Sequence, residues 1–176
     1  MDPVEHRIQV SDADLQAGGR FYYSIYIVIE GEPEADRENN MIVREISPTW
    51  TGSRWSWNEV GGPTNGTILS RWSGARLSSV SNGNDDGRFW VGVKVTGPND
   101  RGMWHYEYAV QNRDNSRGAA GFRLPVCPDA RVENVRFHDI DGDPQTDWSW
   151  SLQGGELAFL APPDNALEWN TIYSFG

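Results

Sequence analysis

Two sets of residues in this chain have types and spacings that could do chemistry. The first is the run His138-Asp139-Ile140-Asp141-Gly142-Asp143-Pro144-Gln145-Thr146-Asp147, which places Asp139, Asp141, Asp143 and Asp147 within nine residues. Carboxylates so close repel one another unless water or a cation lies between them. Calcium is a hard cation that takes about six to eight oxygen ligands, and an Asp-x-Asp-Gly-Asp spacing turns alternate side chains inward around a bend that Gly142 permits. The second set is the tryptophans, nine in 176 residues, with Trp55-Ser56-Trp57 and Trp148-Ser149-Trp150 each spaced by two. In a strand that spacing puts both rings on one face. Two neighbouring indoles either fill a core or form a flat apolar platform on the surface.

Each set supports a second, plainer reading. The acidic run departs from the EF-hand pattern, because its glycine comes early and no helices flank it, so it carries no sensor role. It can also be a solvated turn whose Asp side chains accept from their own backbone. If calcium binds, its work is structural, pinning the loop that leads into Trp148 and Trp150. Two further acidic stretches, Glu30 to Glu38 and Asn82 to Gly87, read as loops, with Gly31 to Asn40 the least ordered part of the chain.

Among the tryptophans, Trp50, Trp55 and Trp57 lie in a Gly/Ser/Pro-rich stretch and are the expected exposed rings. Trp90 is out of phase with Phe89 and Val91, so it faces the opposite side and could extend the platform. Trp104 alternates with Tyr106 and Tyr108 and is expected in the core. Sugar rings present apolar C–H faces that stack on indole, while nearby amides and carboxylates bond their hydroxyls.

Signals for catalysis are thinner. His105 and Glu107 share a strand face, and a His-x-Glu pair can hold a metal or move a proton; His138 joins them only if the fold brings its strand close. No Gly-x-Ser-x-Gly, His-Glu-x-x-His or Walker pattern occurs. Two distant carboxylates could form a glycoside hydrolase pair, a possibility with no local signature. Cys127 is the single cysteine and reads as a small buried hydrophobe.

The elements that must position these residues are strands and turns. Phe21 to Ile29, Arg88 to Thr96 and Trp104 to Asn112 alternate with period two and are rich in β-branched and aromatic residues. Gly97 to Gly102 reads as the hairpin loop between the last two. Shorter strands are expected at Ile8–Val10, Met41–Ile46, Thr67–Trp72, Gly121–Leu124, Val132–Phe137, Trp148–Leu152, Leu157–Leu160 and Trp169–Phe175, with one helical turn at Asp12–Gln16 and a turn at Gly61-Gly62-Pro63. Nineteen glycines and ten prolines supply the turns. The expected architecture is all-β: a single antiparallel, jelly-roll-like β-sandwich over residues 1–176.

With 25 acidic against 15 basic residues the net charge is −10, which argues against binding a nucleic-acid backbone or an anionic membrane surface. No apolar run reaches the length that crosses a membrane. Met1-Asp2-Pro3 leads straight into charged residues without a signal-peptide pattern, so the expectation is a segment of a longer secreted chain.

Trp104-His105-Tyr106-Glu107-Tyr108-Ala109-Val110-Gln111-Asn112, followed by Gly121 to Val126 and by Asn165 to Phe175, resembles a pattern of secreted bacterial proteins. Asn39-Asn40 and Arg7 to Leu15 belong to the same pattern. The resemblance is to the C-terminal β-rich part of uncharacterised large secreted or surface proteins of environmental bacteria. It implies an extracellular or cell-surface location and a module within a larger protein, and it carries over no catalytic residues.

The sequence thus favours a non-catalytic extracellular module that binds a polysaccharide through Trp50, Trp55, Trp57 and Trp90, with structural calcium at Asp139, Asp141, Asp143 and Asp147. The rivals are a self-assembling surface or filament domain with a protein partner, and an extracellular carboxylate-dependent glycoside hydrolase.

Overall fold

Alternation of apolar and polar residues settles which strand faces meet, and the computed structural model, which describes residues 10–81 and 87–176, follows it over most of the chain. Among the described residues, a helical turn α1 (Asp12–Gln16) is followed by eleven strands: β1 (Phe21–Tyr26), β2 (Met41–Trp50), β3 (Trp55–Asn65), β4 (Arg76–Ser81), β5 (Arg88–Thr96), β6 (His105–Asn112), β7 (Gly121–Pro125), β8 (Phe137–His138), β9 (Ser149–Gln153), β10 (Glu156–Leu160) and β11 (Ile172–Phe175). They pair antiparallel into three sheets, ordered β4-β5-β6-β11-β8, β7-β10-β9 and β1-β2-β3. The protein is an all-β antiparallel sandwich. Among the described residues no helix is long and apolar enough to cross a membrane.

The sandwich core lies between the first two sheets. Register places Phe89, Val91, Tyr108, Val110, Tyr173, Phe175 and Phe137 on one face of the five-stranded sheet. These meet Phe122, Leu124, Leu157 and Phe159 of the three-stranded sheet β7-β10-β9. The rings interdigitate, with Phe122 and Phe175 at 4.7 Å and Phe159 and Phe175 at 5.0 Å between centroids. Tilted and edge-on pairs of this kind add about 0.5–1.5 kcal/mol each beyond the area they bury. The chain crosses between the sheets at β6 to β7, β7 to β8, β8 to β9 and β10 to β11.

The third sheet, β1-β2-β3, forms a further layer over the outer face of the five-stranded sheet. Met41 and Val43 of β2 and Leu69 of the turn that follows β3 are buried, and the Thr67 hydroxyl donates to Gln111 Oε1 across the seam. Trp72 lies against Gly92, where a Cβ would approach its ring to 3.2 Å.

This layer is tied down by ions. Arg113, with a side chain 0 % exposed, meets Glu34 at 2.9 Å and Asp114 at 3.0 Å. Arg88 bonds both Glu34 oxygens, and Arg37 meets Asp114 at 3.1 Å. The Tyr26 hydroxyl donates to Asp114, and burial, ahead of the nearby carboxylate, pushes its pKa up to about 12. The acidic stretch Gly31 to Asn40 thus forms an ion-paired strap across these groups.

Several sequence expectations need correcting. Thr67–Trp72 is not a strand: Thr67 Oγ1 accepts from the Leu69 N–H and starts a 3₁₀ turn, Ile68–Arg71. β1 stops at Tyr26, opposite the first residue of β2, so Ile27 to Ile29 have no partner strand and are exposed. Gly61-Gly62-Pro63 is no turn between elements but a bulge inside β3, facing the register shift between Val43 and Glu45. Of Val132–Phe137 only Phe137 enters a strand. Cys127 is exposed. Residues 82–86 and most of the expected strand Ile8–Val10 lie outside the described residues.

Trp104 is 54 % exposed rather than core. It shares its face with Tyr108 and Val110, but that face runs past the opposing sheet. The sandwich opens there into a cavity of about 370 Å³ lined by Trp104, Tyr106, Leu124, Val132 and Leu157.

Candidate functional site

β2 and β3 form a long hairpin whose far end carries tryptophan. In β3 every residue after Trp55 is exposed, so this part of the hairpin is an arm rather than a wall of the core. Trp50 pairs across the strands with Trp55, and Pro48 with Trp57, so all three indoles share one face. The loop that joins the strands is closed by the Thr51 N–H donating to Arg54 O at 2.9 Å, with Gly52 at φ +96°. Only glycine takes that conformation without strain.

The three rings differ in freedom. Trp50 is 50 % and Trp57 55 % exposed. Trp55 is half-buried, and its Nε1 donates to Asp12 Oδ1 at 2.9 Å, so it is fixed by α1. Trp50 and Trp55 lie 5.6 Å apart at 58°, which makes an angled cradle instead of the flat platform expected. Polar groups continue the same face. Glu59, two residues beyond Trp57, accepts from the Tyr23 hydroxyl at 2.8 Å and meets Arg44 at 2.6 Å. The Glu59 hydrogen bond, more than desolvation, raises the Tyr23 pKa, so the phenol keeps its proton and its donor role.

Trp90 takes no part in this cradle. It pairs with Ser79 and Gln111 on the outer face of the five-stranded sheet, and its Nε1 is buried without an acceptor among the described residues. Gln111 lies at the root of the arm. From Met41, β2 runs ten residues, or roughly 30 Å of strand, to Trp50.

The second Trp-Ser-Trp does not form a platform either. Trp148, 3 % exposed, lies in the core with its Nε1 donating to Asn165 O at 2.7 Å. Trp150 is 52 % exposed and pairs with Phe159 from the sheet edge.

The acidic loop is a series of Asx turns. Asp139, Asp141 and Asp143 each accept, through Oδ1, from the N–H two residues on, at 3.1, 2.7 and 2.9 Å. Asn165 anchors the loop: its Nδ2 donates to Asp139 Oδ2 and to Thr146 O, both at 2.7 Å, and its Oδ1 accepts from Tyr173. Among the described residues no group of three or more His, Cys, Asp or Glu side chains is gathered to hold a metal ion.

His105 and Glu107 do share a face, with Nε2 and Oε1 3.4 Å apart. The fold also brings His138 to that outer face, through Ser174 and Ala109. The three residues line one cavity of about 650 Å³ together with Arg20, Arg71, Lys94 and Arg136. Sequence reading passed over these four cations, which come from separate segments and share no spacing. The resemblance to secreted bacterial proteins gains no support from comparison with known proteins: no protein family, no curated protein and no solved structure matches this chain.

Proposed function

We propose that this chain is a non-catalytic binding module, extracellular or on a cell surface, that holds carbohydrate on the cradle at the tip of the β2–β3 arm. The observation that carries this reading is the shared face of Trp50, Trp55 and Trp57 on an arm clear of the core. Trp50 and Trp57 offer open ring faces for stacking. Tyr23, Arg44 and Glu59 stand beside them with donors and acceptors for hydroxyl groups. Trp90 falls outside the proposal.

The experiment is a binding panel of soluble and insoluble polysaccharides with wild type and the Trp50→Ala/Trp57→Ala double variant. Exposed aromatic anchors contribute about 2 kcal/mol or more each, which is roughly 30-fold in Kd per ring. The double variant is expected to lose measurable binding and keep its Tm, because both rings stand largely in solvent. Trp55 is the wrong first target, since its loss also frees Asp12. Unchanged binding in the double variant would refute the cradle.

Calcium belongs to the same proposal as a structural ligand. In the Asx turns one oxygen of Asp141 and one of Asp143 are engaged with the backbone, which leaves each a second oxygen, with Asp147 nearby in sequence, for a cation. Calcium at a hundred times its Kd would add about 2.7 kcal/mol. A melt in millimolar calcium should then run several degrees above one in chelator. Coincident melts would leave the loop as Asx turns alone.

One observation favours a second reading, self-association. β3 is an edge strand eleven residues long, and edges of that kind pair with other chains. Light scattering that shows size rising with concentration, and no glycan bound, would select it.

A further inference from the structure

We infer that the cavity between β1 and the outer face of the five-stranded sheet is a second binding site, for a sugar chain that carries oxyanions. It uses none of the cradle's residues and stands whether or not the cradle binds.

Charge is the first argument. The chain as a whole has 15 basic and 25 acidic residues. The cavity reverses that balance, with Arg20, Arg71, Lys94 and Arg136 against a single carboxylate, Glu107. Glu45, opposite Tyr22 in the β1–β2 register, is bonded by Arg20 through both its oxygens at 3.0 and 2.6 Å. The Arg20 hydrogen bond holds Glu45 below the ordinary carboxylate range, with a smaller pull from Arg71. Four cations therefore face two carboxylates, one of them already held by Arg20.

Shape and surface are the second argument. At about 650 Å³ the cavity falls within the range of small-ligand sites. Its floor is kept low by Ala109 and Ser174, and its walls include the rings of Tyr22 and Trp72. Trp72 is braced against Gly92, where no side chain fits without moving the ring or Leu77. Aromatic walls suit the C–H face of a sugar, and guanidinium and ammonium groups suit carboxylate or sulfate. A neutral glycan would leave the cations unused. A nucleic-acid strand would bring its phosphates against a chain of charge −10.

Isothermal titration with four probes tests this: an oligogalacturonate tetramer (carboxylate), a carrageenan tetrasaccharide (sulfate), cellotetraose (neutral) and a short single-stranded oligonucleotide. Saturable binding of the galacturonate, the sulfated sugar or both is expected, weakening as salt rises, and which of them binds identifies the oxyanion. Lys94→Gln/Arg136→Gln should weaken it at least tenfold, and each single change by a smaller factor, so that one folded variant suffices. Trp50→Ala/Trp57→Ala should leave it unchanged, which separates this site from the cradle. Equal binding of cellotetraose, tighter binding of the oligonucleotide, full affinity in the glutamine variants, or no saturation of either anionic sugar at millimolar concentration would overturn the proposal.

Discussion

Trp148→Ala is expected to lower stability by about 3–5 kcal/mol, the range for emptying a buried aromatic site. The indole touches three rings at once: Phe137 at 5.6 Å, Tyr173 at 5.8 Å and Phe175 at 5.5 Å between centroids. Those rings come from β8 and β11, while Trp148 itself leads into β9 of the opposing sheet, so the cavity would open in the seam of the sandwich. Its Nε1 bond to Asn165 O would go as well, and with it part of the support of the acidic loop. In a domain of this size the loss should shift Tm down by roughly 10 °C. Trp148→Phe keeps most of the burial and gives up the hydrogen bond, at about 1 kcal/mol for the bond itself. Denaturant titration of both variants checks the ranking. A loss below about 1 kcal/mol for Trp148→Ala would place the indole outside the core.

The second large effect is expected at Arg113. Its guanidinium is enclosed between Glu34 and Asp114, with Glu38 at 3.8 Å. Arg113→Met removes the cation and leaves the carboxylates, a change that costs about 3–5 kcal/mol where a buried pair is broken. Glu34 keeps Arg88 in that variant, so the loss in Arg113→Met/Glu34→Gln should fall short of the sum of the two single losses. Losses that simply add would mean that the Arg113–Glu34 pair does not hold the strap.

Acid should act through the same groups. The Arg88 hydrogen bond holds Glu34 below its ordinary 4.5. Burial alone would raise Asp114, but Arg113, the Arg88 N–H and Arg37 together outweigh it and hold the carboxyl below 3.8. Both folded pKa values are thus depressed, so their contribution is complete above about pH 4.5 and is lost as pH falls through that value and below 3.8. The wild type should lose stability over that window more steeply than Arg113→Met.

What the sequence made legible was direction, and what it hid was depth. The alternation of Phe89, Val91, Val93 and Val95 placed one face of β5 correctly, because a side-chain period of two is local. The same alternation put Trp104 with Tyr108 on one face and could not show that the opposing sheet ends before reaching Trp104. β3 was hidden by Gly61-Gly62-Pro63, whose residue types signal a turn whether the chain reverses there or only bulges. Arg113 was hidden by its charge, since burial of a guanidinium depends on carboxylates that arrive from Glu34 and Glu38, some eighty residues away. For the cradle, Trp50, Trp55 and Trp57 were grouped from their polar surroundings. Trp90 was grouped with them by ring type, and only the register assigns it to another sheet.

The arm's poor burial also bears on how this protein can change over generations. Substitutions at exposed positions away from special features shift stability by only about half a kcal/mol. Ten of the eleven residues of β3 are exposed, while the residues that hold the layers together lie elsewhere. On the proposed reading, recognition at the arm can therefore drift to new ligands without passing through unstable intermediates, and the sandwich beneath can stay constant while the tip is rewritten.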